Sequence, residues 1–346
     1  MKYSLKDLKI NIPENLIAQY PLKNREESRL LVLHVSTQKI VDDCFSNLPN
    51  YISTQDCIVY NDTKVINARL FGIKEETGAS LEVLLLRRID GTDWECLIRP
   101  ARRVRERMII SIKNEISLEV VDTLQEGVFR VRFSREVDYR DLTQIGEIPL
   151  PKYIKRSAVK GIDDILYQTV FADKYGAVAS PTAGLHFTEK LIKEIKKRGA
   201  VWVPVTLNVD WGTFKPVRED DYRKHKIHRE TYEISKESAL IMNRCIAEKR
   251  RFLCIGTTSV RTVESAVDQT GKLRSGRGET DLYIYPGYNF KLTDGMVTNF
   301  HLPDSTLILL VMAFAGVEGI RKAYAHAIKK KYRFFSYGDA MLIIKD

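Results

Sequence analysis

S-L-E-V-L-L-L-R-R-I-D-G-T-D-W-E-C-L-I-R, residues 80–99, is the run that decides the fold. Two β-rich stretches, 80–88 and 94–99, flank the turn signal Asp90-Gly91. The pattern repeats on both sides, at 68–72, 108–112, 116–121 and 128–133. Glu76-Thr77-Gly78 and Glu126-Gly127 supply further turns. Short strands at even spacing, with no helical period between them, predict a small β-barrel or sandwich. It occupies residues 65–151 and lies between two stretches patterned as α/β. The expected architecture is therefore a discontinuous α/β domain, 1–64 and 152–346, with a small β-barrel domain inserted.

Outside the insert, strands are expected at 30–34, 39–45, 57–60, 167–171, 201–209, 251–256, 280–285 and 340–344. The run 201–209 is nearly continuous in β-branched residues, as in a strand covered on both faces, but Pro204 suggests an edge or a bulge. Helices are expected at 188–198, with Thr188 as cap and Gly199 as stop, and at 236–249, capped by Ser235. An apolar helix over 306–316, capped by Asp304, is too short to span a bilayer and reads as buried. A basic amphipathic helix follows over 317–332. Residues 146–153, G-E-I-P-L-P-K-Y, read as an extended linker, and 276–278 as a flexible basic loop.

The 346 residues carry a net charge of +10, which attracts polyanions, nucleic acid first among them. Five cysteines without a C-x-x-C pair point to reduced thiols in the cytoplasm rather than disulfides or a zinc cluster. No secretion signal or membrane span is expected.

Chemistry concentrates in a few loops. In 176–188, G-A-V-A-S-P-T-A-G-L-H-F-T, small residues run into a helix start, where backbone N–H groups point outward. Thr182, Gly184 and His186 lie there. Thr257-Thr258-Ser259 form a hydroxyl-rich turn between a strand and a helix, with Arg261 in the first helical turn to pair a carboxylate. Asn299 and His301 sit in N-F-H-L-P, just before another helix. Imidazole is the side chain that trades protons near neutral pH, and two loop histidines in like settings strengthen the reading. Asn61-Asp62-Thr63 either close an Asx turn or present polar groups at a strand's carboxyl end. Asp281, Tyr283 and Tyr285 alternate onto one face. His225 and His228 have a metal-like spacing but no third ligand nearby, so no metal is expected. The run 99–107, R-P-A-R-R-V-R-E-R, and the cluster Lys329, Lys330, Lys331 and Arg333 are either solvated charge or phosphate contacts.

Read together, N-D-T-K-V-I-N-A-R-L, G-E-I-P-L-P, Y-Q-T-V-F, P-T-A-G-L-H-F-T, G-T-T-S-V-R-T-V-E-S, T-D-L-Y-I-Y-P-G-Y, N-F-H-L-P and Y-R-F-F-S-Y-G-D-A-M-L-I resemble the S-adenosylmethionine:tRNA ribosyltransferase-isomerase family of the queuosine pathway. The resemblance covers essentially the whole chain. It implies an α/β domain interrupted by a β-barrel. It also implies transfer and isomerisation of the ribosyl group of S-adenosylmethionine onto 7-aminomethyl-7-deazaguanine at a tRNA wobble position. The product is epoxyqueuosine, with adenine and methionine released. S-adenosylmethionine is consumed as a substrate and no bound cofactor is implied. No obligate protein partner is evident, and the sequence leaves the oligomeric state open, a monomer being one option. On this reading His186 and His301 are the acid and base, with Asp281 and Tyr283 orienting them or donating. Asn61, Asp62, Thr63, Thr182, Gly184, Thr257, Thr258, Ser259, Arg261 and Asn299 line the substrate pocket. Arg102, Arg103, Lys329, Lys330, Lys331 and Arg333 track tRNA phosphates. Two departures stand out. The family's L-H-V-G-x-G-T-F is Leu207-Asn208-Val209-Asp210-Trp211-Gly212-Thr213-Phe214 here, and its P-G-[KR]-R is Pro100-Ala101-Arg102-Arg103. A non-catalytic RNA-binding protein and an ordinary methyltransferase remain as rivals. The first leaves the loop histidines unexplained, and the second lacks its glycine-rich strand–turn–helix.

Overall fold

The computed structural model describes residues 10–113, 115–124, 127–209 and 216–345. The stretch 210–215, with Asp210 and Trp211, lies outside the described residues. Strands are β1 (Arg29–His34), β2 (Ile40–Cys44), β3 (Asp56–Asn61), β4 (Thr63–Val65), β5 (Arg69–Lys74), β6 (Ser80–Arg88), β7 (Asp93–Arg99), β8 (Ile109–Ser111), β9 (Ser117–Thr123) and β10 (Val128–Phe133). After them come β11 (Lys174–Ala177), β12 (Val201–Leu207), β13 (Glu230–Ile234), β14 (Arg251–Ile255), β15 (Gly276–Thr280), β16 (Thr293–Asn299) and β17 (Ala340–Ile344). Helices are α1 (Tyr139–Ile145), α2 (Asp163–Leu166), α3 (Glu189–Lys197), α4 (Lys236–Ala247), α5 (Gly256–Ala266), α6 (Thr306–Ala315) and α7 (Val317–Lys329).

Nine strands form one mixed sheet in the order β15-β13-β12-β3-β14-β16-β17-β1-β2. Strand alternation divides its side chains between two cores. Leu31, Leu33, Phe252, Cys254, Met341 and Ile343 pack on one face with α4 to α7. Leu30, Val32, Leu253, Ile255, Leu342 and Ile344 pack on the other with Phe45, Leu48, Leu191 and Ile195. A sheet buried on both faces explains why these strands read as unbroken apolar runs. Pro204 fits because, among the described residues, β12 meets β13 only through Thr206 and Leu207. Toward its start that edge is unpaired, so the missing N–H breaks no ladder.

The six runs of the insert form a closed barrel, β10-β7-β6-β5-β8-β9. Leu81, Val83 and Leu85 alternate inward from β6, against Trp94, Cys96 and Ile98 of β7. Two connections join barrel and sheet, and they touch: Arg69 and Glu147 exchange backbone hydrogen bonds of 3.1 and 2.9 Å. Gly146 permits this approach, because a Cβ there would stand 2.1 Å from the Asn67 carbonyl.

Several expectations need correction. Residues 167–171 form no strand. The strand is β11, and it pairs with β4 instead. The supposed flexible loop 276–278 belongs to β15, whereas 281–285 leave the sheet, with the Tyr285 ring packed on Tyr222 and Tyr283. Ser305, not Asp304, caps α6, its Oγ accepting from the Ile308 N–H at 3.3 Å. Thr257-Thr258-Ser259 are not a loop but the first turn of α5.

Candidate active site

β14 ends at Ile255 and α5 begins at once, since Gly256 takes φ +85°, a left-handed value that favours glycine. Among the described residues no side chain caps this helix start. Its first N–H groups therefore carry the positive end of the helix dipole into a cavity of about 40 Å³. The cavity is walled by Ser180, Thr182, Thr257, Thr258, Thr298, Asn299, His301, Ser305 and Ser336, with Tyr153, Leu302 and Phe335 among its other lining residues. Three stretches far apart in sequence, 180–183, 256–258 and 298–302, thus meet in one place.

Hydroxyls decide what this cavity is built for. Ser180 Oγ and Thr258 Oγ1 are buried and meet no protein partner among the described residues. An unpaired buried hydroxyl costs about 1–3 kcal/mol, so two in one cavity mark a place for a polar ligand. Ser259 behaves differently: its Oγ donates back to the Ile255 carbonyl at 2.8 Å.

The two histidines divide by role. Asn299 Nδ2 donates to the Phe335 carbonyl at 3.2 Å, which fixes the amide orientation. The same Nδ2 lies 3.1 Å from His186 Nε2, so that nitrogen accepts. His186 Nδ1 then carries the proton and donates to Ser28 Oγ at 2.8 Å. Both ring nitrogens are occupied, and the ring packs on Phe45 at 5.0 Å. Burial, aided by Arg25 and Arg333, pushes its pKa down to about 3. His186 does not line the cavity; it holds Asn299, whose Oδ1 also accepts from Thr182 Oγ1 at 2.9 Å.

His301 does line the cavity. Its Nε2 lies 2.7 Å from Thr298 Oγ1, while Nδ1 has no protein partner among the described residues. Tyr324 pins its backbone, accepting from the His301 N–H at 2.6 Å. Burial pushes this imidazole down to about 3 as well, so it is neutral at physiological pH.

The remaining expected site residues lie elsewhere. Asn61 is spent fastening β3 to β12, through Leu207 O at 2.9 Å and Leu207 N at 3.0 Å. Asp62 accepts from Thr206 Oγ1 at 2.6 Å, and Thr63 donates to Asn208 Oδ1 at 2.8 Å. Arg261 is buried in an ion pair with Glu230, donates to the Leu282 carbonyl at 3.2 Å and does not line the hydroxyl cavity. Gly184 does not line this cavity; it lets the chain pass Thr169, 2.9 Å from where a Cβ would stand. Asp281 is exposed and pairs with Arg229 at 3.6 Å; Tyr283 donates to the Tyr222 carbonyl at 2.9 Å. Neither lines the His301 cavity. Arg102, Arg103, Lys329, Lys330 and Lys331 are exposed. Arg333 is half-buried and donates to the Tyr20 carbonyl, which removes it from the surface set. Among the described residues no group of three or more ligating side chains is placed to hold a metal ion, and His225 instead meets Glu219 at 2.7 Å. Nor is any described helix long and apolar enough to cross a membrane. Sequence reasoning missed Ser180, Tyr153, Thr298 and Ser336. The first lay within the quoted loop, and the second was read only as part of a linker.

The family profile described as "Queuosine biosynthesis protein" matches residues 5–343. The S-adenosylmethionine:tRNA ribosyltransferase-isomerase of Thermoanaerobacter sp. is 48% identical over 335 residues, 96% of this chain and 97% of that relative. The protein of the same name from Caldanaerobacter subterraneus is 47% identical over 336 residues, 96% of this chain and 98% of its own length. A crystal structure of S-adenosylmethionine tRNA ribosyltransferase from Thermotoga maritima aligns with a TM-score of 0.56 at 34% identity, covering 97% of this chain and 99% of that one. The chain therefore belongs to the queuosine biosynthesis protein family.

Proposed function

We propose that the protein transfers and isomerises the ribosyl group of S-adenosylmethionine onto 7-aminomethyl-7-deazaguanine at the wobble position of a tRNA, in the cytoplasm, giving epoxyqueuosine-tRNA. One observation carries the site assignment: two orphaned hydroxyls, an uncapped helix start and a neutral histidine face one cavity in a chain of this family.

The start of α5 suits the donor's carboxylate, since unpaired N–H groups and the helix dipole both favour an anion. Thr257 and Thr258 supply those N–H groups, and Ser180 and Thr258 add hydroxyl contacts. At about 40 Å³ the cavity is far below the roughly 300 Å³ of a small ligand site. The rest of the nucleoside therefore occupies the adjoining cleft, which shares Tyr153, Leu302 and Ser305 with it.

The sulfonium acidifies the protons on the ribose carbon bonded to it. A base takes one, adenine leaves, the amine of the modified base attacks, and an epoxide forms as methionine departs. His301 is the residue of choice for proton transfer: it faces the cavity and, among the described residues, keeps Nδ1 clear of protein partners. His186 positions Asn299 rather than reacting. Arg102, Arg103, Lys329, Lys330 and Lys331 contribute charge toward tRNA phosphates. The experiment is product analysis after incubation with S-adenosylmethionine and tRNA bearing the aminomethyl base. Adenine and methionine are expected; S-adenosylhomocysteine would mean methyl transfer, and an unconsumed donor would mean binding alone.

A further inference from the structure

Two large clefts separate barrel and sheet, and their charges differ. The wider, about 800 Å³, holds five cations, but each has an acidic partner. Arg87 pairs with Glu95, Arg88 with Glu136, Lys174 and Arg277 with Glu233, and Arg229 with Glu279. The other, about 590 Å³, adjoins the hydroxyl cavity. On it Arg99, Lys152 and Arg218 are exposed, and no carboxylate among the described residues pairs with their side chains. Cations left unpaired are the ones ready for phosphate.

The barrel wall of this second cleft is unusual for an outer face. Leu81, Val83 and Leu85 point into the barrel, so Glu82 and Leu84 point out. Across the ladder Leu84 pairs with Leu97, and Glu82 with Arg99. An apolar pair beside a carboxylate thus faces the Pro149–Tyr153 segment and the 302–305 loop, where Asp304 stands. Glu82 meets Arg69 at 3.2 Å; the Asp304 carboxylate meets no donor among the described residues. Beyond Arg99 the chain runs directly into the exposed Arg102 and Arg103.

We propose that this cleft receives the modified nucleobase of the RNA loop. The base lies in the slot between the Leu84–Leu97 pair and the proline segment. Its aminomethyl cation is held by the carboxylates that line the slot from either side, Glu82 and Asp304, and the flanking phosphates meet Arg99, Lys152 and Arg218. The donor nucleoside enters the cleft only at the edge it shares with the hydroxyl cavity, Tyr153, Leu302 and Ser305, and the amine meets it there. This inference rests on the reaction proposed above, and its test separates the two.

The test measures binding of the full-length protein, without donor, to tRNA carrying either the aminomethyl base or unmodified guanine. The wild type is expected to prefer the aminomethyl tRNA. The E82Q/D304N double variant is expected to lose at least tenfold of that preference, with affinity for unmodified tRNA within about twofold. Preference retained in a folded double variant would overturn the inference. A photoreactive nucleoside at the wobble position gives a reading in the wild type that needs no variant. Crosslinks at residues 82–99, 149–153 or 302–305 support it, and crosslinks confined to 229–233 and 277–279 overturn it. Adenine release by the wild type is measured in parallel, so a failure of the reaction itself is seen separately.

Discussion

Replacing Thr258 by valine should make the free protein more stable and the donor-bound protein weaker. Thr258 Oγ1 is buried with no protein partner among the described residues, while the residue's carbonyl accepts from Thr262 Oγ1 at 2.9 Å. Valine keeps the shape and that carbonyl contact and removes only the hydroxyl. Relief of an unpaired buried polar group is worth about 1–3 kcal/mol, and part of it returns as added χ1 stiffness in a helix. About 1 kcal/mol of net stabilisation follows, or roughly 2 °C in melting temperature for a chain of this size. In the complex the same hydroxyl is expected to bond the donor. Its loss costs about 1.5 kcal/mol, or more than tenfold in Kd. Calorimetric melting of the free protein and titration with S-adenosylmethionine read the two signs. Ser259→Ala is the control: that hydroxyl serves the Ile255 carbonyl, so stability should fall by about 1 kcal/mol and donor affinity should hold. A T258V protein that is less stable, or that binds the donor as the wild type does, would refute the reasoning.

Other consequences are direct. The unfolded histidine value lies near 6.5, and both buried imidazoles are held near 3, so the unfolded chain binds more protons between those limits. Stability is fully present above about pH 6.5 and declines as pH falls, by about 1 kcal/mol per imidazole at pH 5.5; urea midpoints at pH 7.5 and 5.5 check this. Arg261→Ala breaks a buried ion pair by removing its cation and should cost about 3–5 kcal/mol in urea unfolding, rather than only donor affinity. Arg102→Ala with Arg103→Ala should weaken tRNA binding and lower the slope of log K against log salt by about 2, with melting unchanged.

Periodicity made the barrel legible. Its strands alternate in and out, and 80–88 and 128–133 are read to the residue as β6 and β10. The sheet was harder where aromatic packing competes with pairing. Tyr283 and Tyr285 alternate like a strand but pack on each other at 5.1 Å with their rings tilted by 56°, and the ladder runs one segment earlier through Gly276–Thr280. Residue type located the cavity, since Thr182, Thr257, Thr258, Asn299 and His301 all line it. Partnership was not legible. Nothing in G-T-T-S-V-R shows that Arg261 faces Glu230, thirty-one positions earlier, nor that Asn299 occupies the second nitrogen of His186. Those are long-range contacts, and they decide which polar groups remain available to a ligand.

Hydrogen exchange of the protein with and without S-adenosylmethionine tests the central claim most directly. Added protection is predicted at the amides of 256–259 and 298–302, the helix start and the His301 loop. Protection confined to 229–233 and 277–279, with those amides unchanged, would contradict it.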